Sequence, residues 1–133
     1  VDPSHRFSPS GKRALQILVT LLALIPITVG AAGIWAGPAS LGSGDAPRDL
    51  DSHFRYLSGI FMALGFVFWR CVPDIERNTA LFRVASALVV TGGLGRLLAC
   101  ATQGPPSAFH VAGLAMELVV VPGLVVWQAR LAT

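Results

Sequence analysis

The sequence predicts an all-α fold: an integral membrane four-helix bundle, running up-down-up-down, with both termini cytoplasmic. Three observations carry this. The 133 residues are 53% hydrophobic and only 13% charged, whereas soluble domains carry about 25% charged residues. The mean hydropathy is +0.65. Four apolar runs, each near the roughly 20 residues that cross a bilayer, are separated by short polar segments rich in proline and glycine. The length suits one domain over residues 1–133.

Residues 1–11 are polar, contain Pro3 and Pro9, and read as a flexible arm. Lys12 and Arg13 precede the first run, about 14–36. This run is longer than the roughly 7–15 apolar residues of a signal peptide, so a retained helix is expected. Pro26 should kink it, because proline removes a backbone hydrogen bond. Gly30, Gly33 and Gly37 offer either close helix contact or fraying near its far end.

Residues 37–49 are dense in glycine and proline and read as a loop. Asp51 or Ser52 is expected to cap the second helix. That helix is expected over about 54–71 and ends before Pro73. After a short charged connection, the third helix covers about 80–101. A turn around Gly104-Pro105-Pro106 leads to the fourth, about 108–130, in which Pro122 is expected to produce a kink.

Charge orients the bundle. With four crossings, Arg6, Lys12, Arg13, Arg70, Arg77, Arg83 and Arg130 share the side of both termini. Positive charge accumulates on the cytoplasmic side, so both termini are expected there, in a membrane crossed several times. The net charge of +3 is not laid out as a basic stripe with interleaved aromatics, so no nucleic-acid partner is expected. Cys71 and Cys100 form no C-x-x-C, which leaves neither a disulfide framework nor a zinc pattern.

Polar residues inside apolar runs are the candidate site. Asp51, His53, Arg55 and Tyr56 crowd the start of the second helix. Asp51 and Arg55 are four apart and so can pair on one helix face. Arg96 lies near the end of the third run, and Glu117 a similar distance into the fourth. Ionised groups in hydrocarbon cost about 2.5–3.5 kcal/mol each, so these two are expected to pair. His110 lies seven residues before Glu117, on the same face. The expectation is one polar cluster of Asp51, His53, Arg55, Tyr56, Arg96, His110 and Glu117 at the non-cytoplasmic end, binding a ligand or serving structure. No spacing in it has a metal signature, and no cofactor, Walker or Rossmann motif or G-x-S-x-G is present.

The segments Leu50-Asp51-Ser52-His53-Phe54-Arg55-Tyr56-Leu57-Ser58-Gly59, Gly92-Gly93-Leu94-Gly95-Arg96-Leu97 and Glu117-Leu118-Val119, with Cys71 to Arg77 and Trp127-Gln128, resemble the domain of unknown function 4345 family. The resemblance covers about 14–130. It implies a small bacterial four-helix inner-membrane protein and supplies no activity. His53, Arg55, Arg96 and Glu117 are among the residues that carry it.

Three functions compete on the sequence. The leading expectation is a non-catalytic accessory or assembly subunit of a larger membrane complex, with lipids and other membrane subunits as partners. The second is a binding or transport module in which Arg55 and Arg96 hold a small amphipathic or anionic ligand. The third is an enzyme, an isomerase or quinone-linked redox protein, using Glu117 as acid or base.

Overall fold

The computed structural model describes residues 9–133, and among them every regular element is a helix and there is no strand. Helix α1 spans Pro9–Ala36 and passes into a 3₁₀ turn, Gly37–Leu41. Helix α2 spans Arg48–Cys71 and α3 Thr79–Gln103. Helix α4 covers Ala108–Ala132 and is interrupted by one π-helical turn, Met116–Val120. The segments Pro9–Leu41, Thr79–Gln103 and Ala108–Ala132 are long and apolar enough to cross a membrane. Helix α2 falls outside that class. Its first two turns carry Arg48, Asp49, Asp51 and Arg55, and its last carries Arg70.

Several boundaries differ from the sequence reading. Of the expected arm, residues 1–8 lie outside the described residues, while Pro9 to Gly11 are already helical. Helix α2 starts at Arg48, because the polar residues before 54 are helical too. Its N-cap is Pro47 and makes no side-chain cap. Neither expected cap holds that place: Asp51 lies in the first turn, where its own N–H donates to the Pro47 carbonyl at 2.9 Å, and Ser52 follows it inside the helix. At Pro122 the irregularity takes the form of the π turn. The Val121 N–H reaches back five residues to the Met116 carbonyl, and Pro122 has no N–H to give. The Glu117 carbonyl therefore loses its α-helical donor.

The chain divides into two compact units. One comprises residues 16–73: most of α1, the 3₁₀ turn and α2. Here glycine sets the packing. A Cβ at Gly30 would lie 2.6 Å from the Ser58 carbonyl oxygen and 2.7 Å from the Met62 nitrogen. One at Gly33 would strike the Ser58 hydroxyl, and one at Gly65 would sit 3.0 Å from the Ala23 carbonyl oxygen. Only hydrogen fits at these crossings, which is how helices approach closely where apolar solvent gives little hydrophobic drive. Polar bonds tie the far end. Trp69 Nε1 donates to the Thr20 carbonyl at 3.0 Å, and Gln16 Nε2 to the Val72 carbonyl at 2.8 Å.

The other unit comprises residues 1–15 and 74–133. Its buried core includes Leu15, Ile75, Phe82, Ala85, Val121 and Leu124. The start of α3 is tied to the end of α4 by Gln128, which is fully buried. Its Nε2 donates at 2.8 Å to the Ile75 carbonyl and at 2.8 Å to Thr79 Oγ1. Lys12 Nζ pairs with Glu76 Oε1 at 2.7 Å, fastening the first turns of α1 to the segment before α3. Elsewhere many large apolar side chains stay exposed, among them Leu21, Leu88, Leu98 and Val119.

Candidate functional site

Of the seven sequence-predicted polar residues, Asp51 and Arg55 pair in one unit and Arg96 and Glu117 in the other. In residues 16–73, Arg55 lies in the second turn of α2, one helical turn beyond Asp51, so the two side chains share a face. Arg55 Nε donates to Asp51 Oδ2 at 2.8 Å and Nη2 to Oδ1 at 3.2 Å. Nη1 donates to the Ile34 carbonyl at 2.6 Å and to the Trp35 carbonyl at 2.9 Å. Those two carbonyls belong to the last turn of α1, where no helical N–H remains to meet them and where the helix dipole is negative. Arg55 thus caps α1 while α2's own acid neutralises it.

Gly37 makes this geometry possible. It is buried with φ +61°, and a Cβ there would sit 2.5 Å from Asp51 Oδ1 and 2.8 Å from Arg55 Nη2. Glycine alone adopts the left-handed conformation freely and brings no side chain into the pair. His53 and Tyr56 are exposed.

A concave pocket of about 380 Å³ opens beside it. Asp45, Arg48, Asp51 and Arg55 line it, and the remaining lining is alanine, proline and glycine. The sequence reading passed over Asp45 and Arg48. Their only signal was charge within a glycine- and proline-rich loop, which usually marks a solvated turn.

In the other unit, Arg96 Nε donates to Glu117 Oε2 at 3.1 Å and Nη2 to Oε1 at 3.1 Å. Glu117 is buried and Arg96 about one-third exposed. The antiparallel α3–α4 hairpin brings the two to one level. Gly93, one turn before Arg96, lets α4 approach: a Cβ there would lie 2.8 Å from Glu117 Cβ. Glu117 stands inside the π turn, and such turns are frequent at functional sites. His110 does not join the pair. It turns to Ser107, with Nδ1 and the hydroxyl oxygen 3.0 Å apart, and stacks edge-on against Phe109 at 5.3 Å.

Two further polar features were not singled out from the sequence. One is Lys12–Glu76, in which Glu76 Oε2 is buried without a hydrogen-bond partner. The lysine's hydrogen bond holds the Glu76 carboxyl below the ordinary glutamate range. The other is Gln128, whose Oε1 is likewise buried and unpartnered. Both depend on contacts between residues more than fifty positions apart, which no local spacing reveals. Among the described residues, no group of three or more His, Cys, Asp or Glu could hold a metal ion.

No curated protein and no solved structure matches the chain. A family match does cover most of it, residues 14–128, and takes in the Asp51–Arg55 and Arg96–Glu117 pairs and the glycines at the helix crossings. The chain belongs to the family described as domain of unknown function (DUF4345).

Proposed function

We propose that this protein is a four-crossing bacterial inner-membrane protein with both termini cytoplasmic, acting as a non-catalytic accessory or assembly subunit of a larger membrane complex. One observation carries the non-catalytic reading. The arginine best placed to hold a substrate spends its donors on the protein itself: Arg55 bonds Asp51 twice and the Ile34 and Trp35 carbonyls once each. Arg96 and Glu117 likewise satisfy one another through two parallel bonds. Charges engaged in this way specify helix pairing.

The exposed apolar side chains support the second half of the reading. Leu81, Val84 and Leu88 on α3, and Val119 and Val126 on α4, are exposed. In a bilayer such surfaces meet lipid or the helices of other subunits. The charge asymmetry of the loops supports the orientation.

The test is extraction from native membranes in mild detergent, with the protein tagged at its C-terminus. A stoichiometric membrane partner that survives gel filtration is the expected result. A monodisperse protein without any partner, from membranes where it is expressed at its natural level, would refute the subunit role.

A further inference from the structure

We propose that the pocket in residues 16–73 is a binding site for a zwitterionic phospholipid headgroup with a primary ammonium, of the phosphatidylethanolamine type. This goes beyond the accessory role and shares with it only the membrane embedding of α1.

The charge inventory of the pocket leads there. Its lining holds two acids and two bases, Asp45, Asp51, Arg48 and Arg55. Asp51 and Arg55 neutralise each other, and Arg55 is further engaged by the end of α1. Asp45 and Arg48 are left. Both are exposed, and among the described residues neither takes part in an ion pair. One positive and one negative side chain three residues apart complement a ligand that carries one charge of each sign. A phosphate diester facing Arg48 and an ammonium facing Asp45 satisfy both through charge-assisted hydrogen bonds.

Size and position agree with this occupant. A volume of about 380 Å³ is at the small end of ligand pockets, which run from roughly 300 to 1,000 Å³. It suits a headgroup rather than a whole lipid. The pocket walls come from the end of the apolar segment Pro9–Leu41 and the polar start of α2. In that same end of α1 and its 3₁₀ turn, Ile34, Trp35 and Leu41 are exposed, Trp35 at 88%. An exposed tryptophan at the end of an apolar helix marks the headgroup level of a bilayer. The pocket therefore opens where headgroups are concentrated, with apolar side chains beside it for the acyl chains.

The lining also discriminates among headgroups. It contains no aromatic side chain, and quaternary ammonium groups are recognised chiefly by aromatic faces. A primary ammonium, with three N–H donors, is the better partner for a carboxylate. A purely anionic headgroup would meet Arg48 but leave Asp45 facing negative charge.

The experiment is native mass spectrometry of the full chain in detergent. Phosphatidylethanolamine, phosphatidylcholine and phosphatidylglycerol with identical acyl chains are titrated in turn. The ethanolamine lipid should bind tighter than the other two by about tenfold, the discrimination that one charge-assisted hydrogen bond supplies. Asp45→Asn should abolish the preference. Arg48→Gln should weaken all three lipids by a similar factor. Both positions are exposed, and unchanged helicity of the two variants verifies the fold. Equal binding of ethanolamine and choline lipids overturns the proposal, as does a preference that survives both substitutions. Water-soluble phosphoethanolamine should compete far more weakly than the lipid. If it competes equally well, the ligand is a free zwitterion and the lipid assignment fails.

Discussion

Gly93 holds α3 against the turn that carries Glu117. A Cβ at position 93 would lie 2.8 Å from Glu117 Cβ and 2.9 Å from Leu118 Cδ2. One turn further along α3, Arg96 meets the Glu117 carboxylate with two N–H donors. Steric fit and charge therefore act at the same helix crossing, and they can be separated by mutation.

Arg96→Leu leaves a buried carboxylate without its cation and should destabilise the protein by about 3 kcal/mol. Glu117→Leu leaves the guanidinium alone and should cost less, because Arg96 is one-third exposed and can reach toward polar surroundings. The double variant should recover part of the loss, with a coupling of about 2 kcal/mol. Denaturant unfolding in detergent measures the cycle. Additive losses would mean that the two bonds contribute no net attraction.

At the α1–α2 crossing, Gly30→Ala must displace backbone atoms, since the nearest are the Ser58 carbonyl oxygen and the Met62 nitrogen. A loss of about 1–3 kcal/mol is expected, as for an overpacked core. Gly92→Ala is the matched control. A Cβ there meets nothing within 4 Å, so the helix should gain about 0.5–1 kcal/mol from the lower entropy cost of alanine. Thermal unfolding of the two variants should shift in opposite directions.

The Lys12–Glu76 pair makes stability depend on pH. The Glu76 pKa is lowered in the folded protein, first by the Lys12 hydrogen bond. Its contribution is therefore complete above the ordinary glutamate value of about 4.3. It disappears as pH falls through the lowered folded value. Both side chains are partly exposed, so the amount is about 0.5–1 kcal/mol after screening by solvent. Unfolding between pH 6 and pH 3 should show this loss in the native sequence and a smaller one in Lys12→Met. Equal slopes would assign the acid sensitivity to other carboxylates.

Hydropathy made the helical fold legible, because a long apolar run has few other ways to satisfy its backbone in lipid. It located α1, α3 and α4 within a few residues at most ends. It placed the start of α2 late, since an apolar boundary marks where lipid begins and a helix can start in water before it. Gly30 and Gly33 read as either close-contact or fraying positions, and only the approach of α2 decides for contact. The Arg96–Glu117 geometry follows from two charges at one depth in a hairpin. Arg55's bonds to Ile34 and Trp35 were not legible. The acceptors are backbone carbonyls, which every residue owns, and only the three-dimensional path of α1 selects these two. The pocket was invisible for a similar reason: Asp45 stands in a loop whose residue types say turn, Arg48 is the first residue of α2, and the concavity arises from the chain's route between α1 and α2.

The π turn at Met116–Val120 decides the register of everything beyond it. A π turn holds one residue more than an α turn, and one residue of helix is about 100° of rotation. Val121, Leu124 and Gln128 form the buried stripe of the last helical segment. Deleting a single residue within 116–120 would close the turn into plain α-helix and swing that stripe by roughly a quarter of a circle. Gln128 would then face away from Ile75 and Thr79. The extra residue acts as a phase shifter, through which one helix presents its carboxylate to Arg96 and, three turns later, its amide to the start of α3.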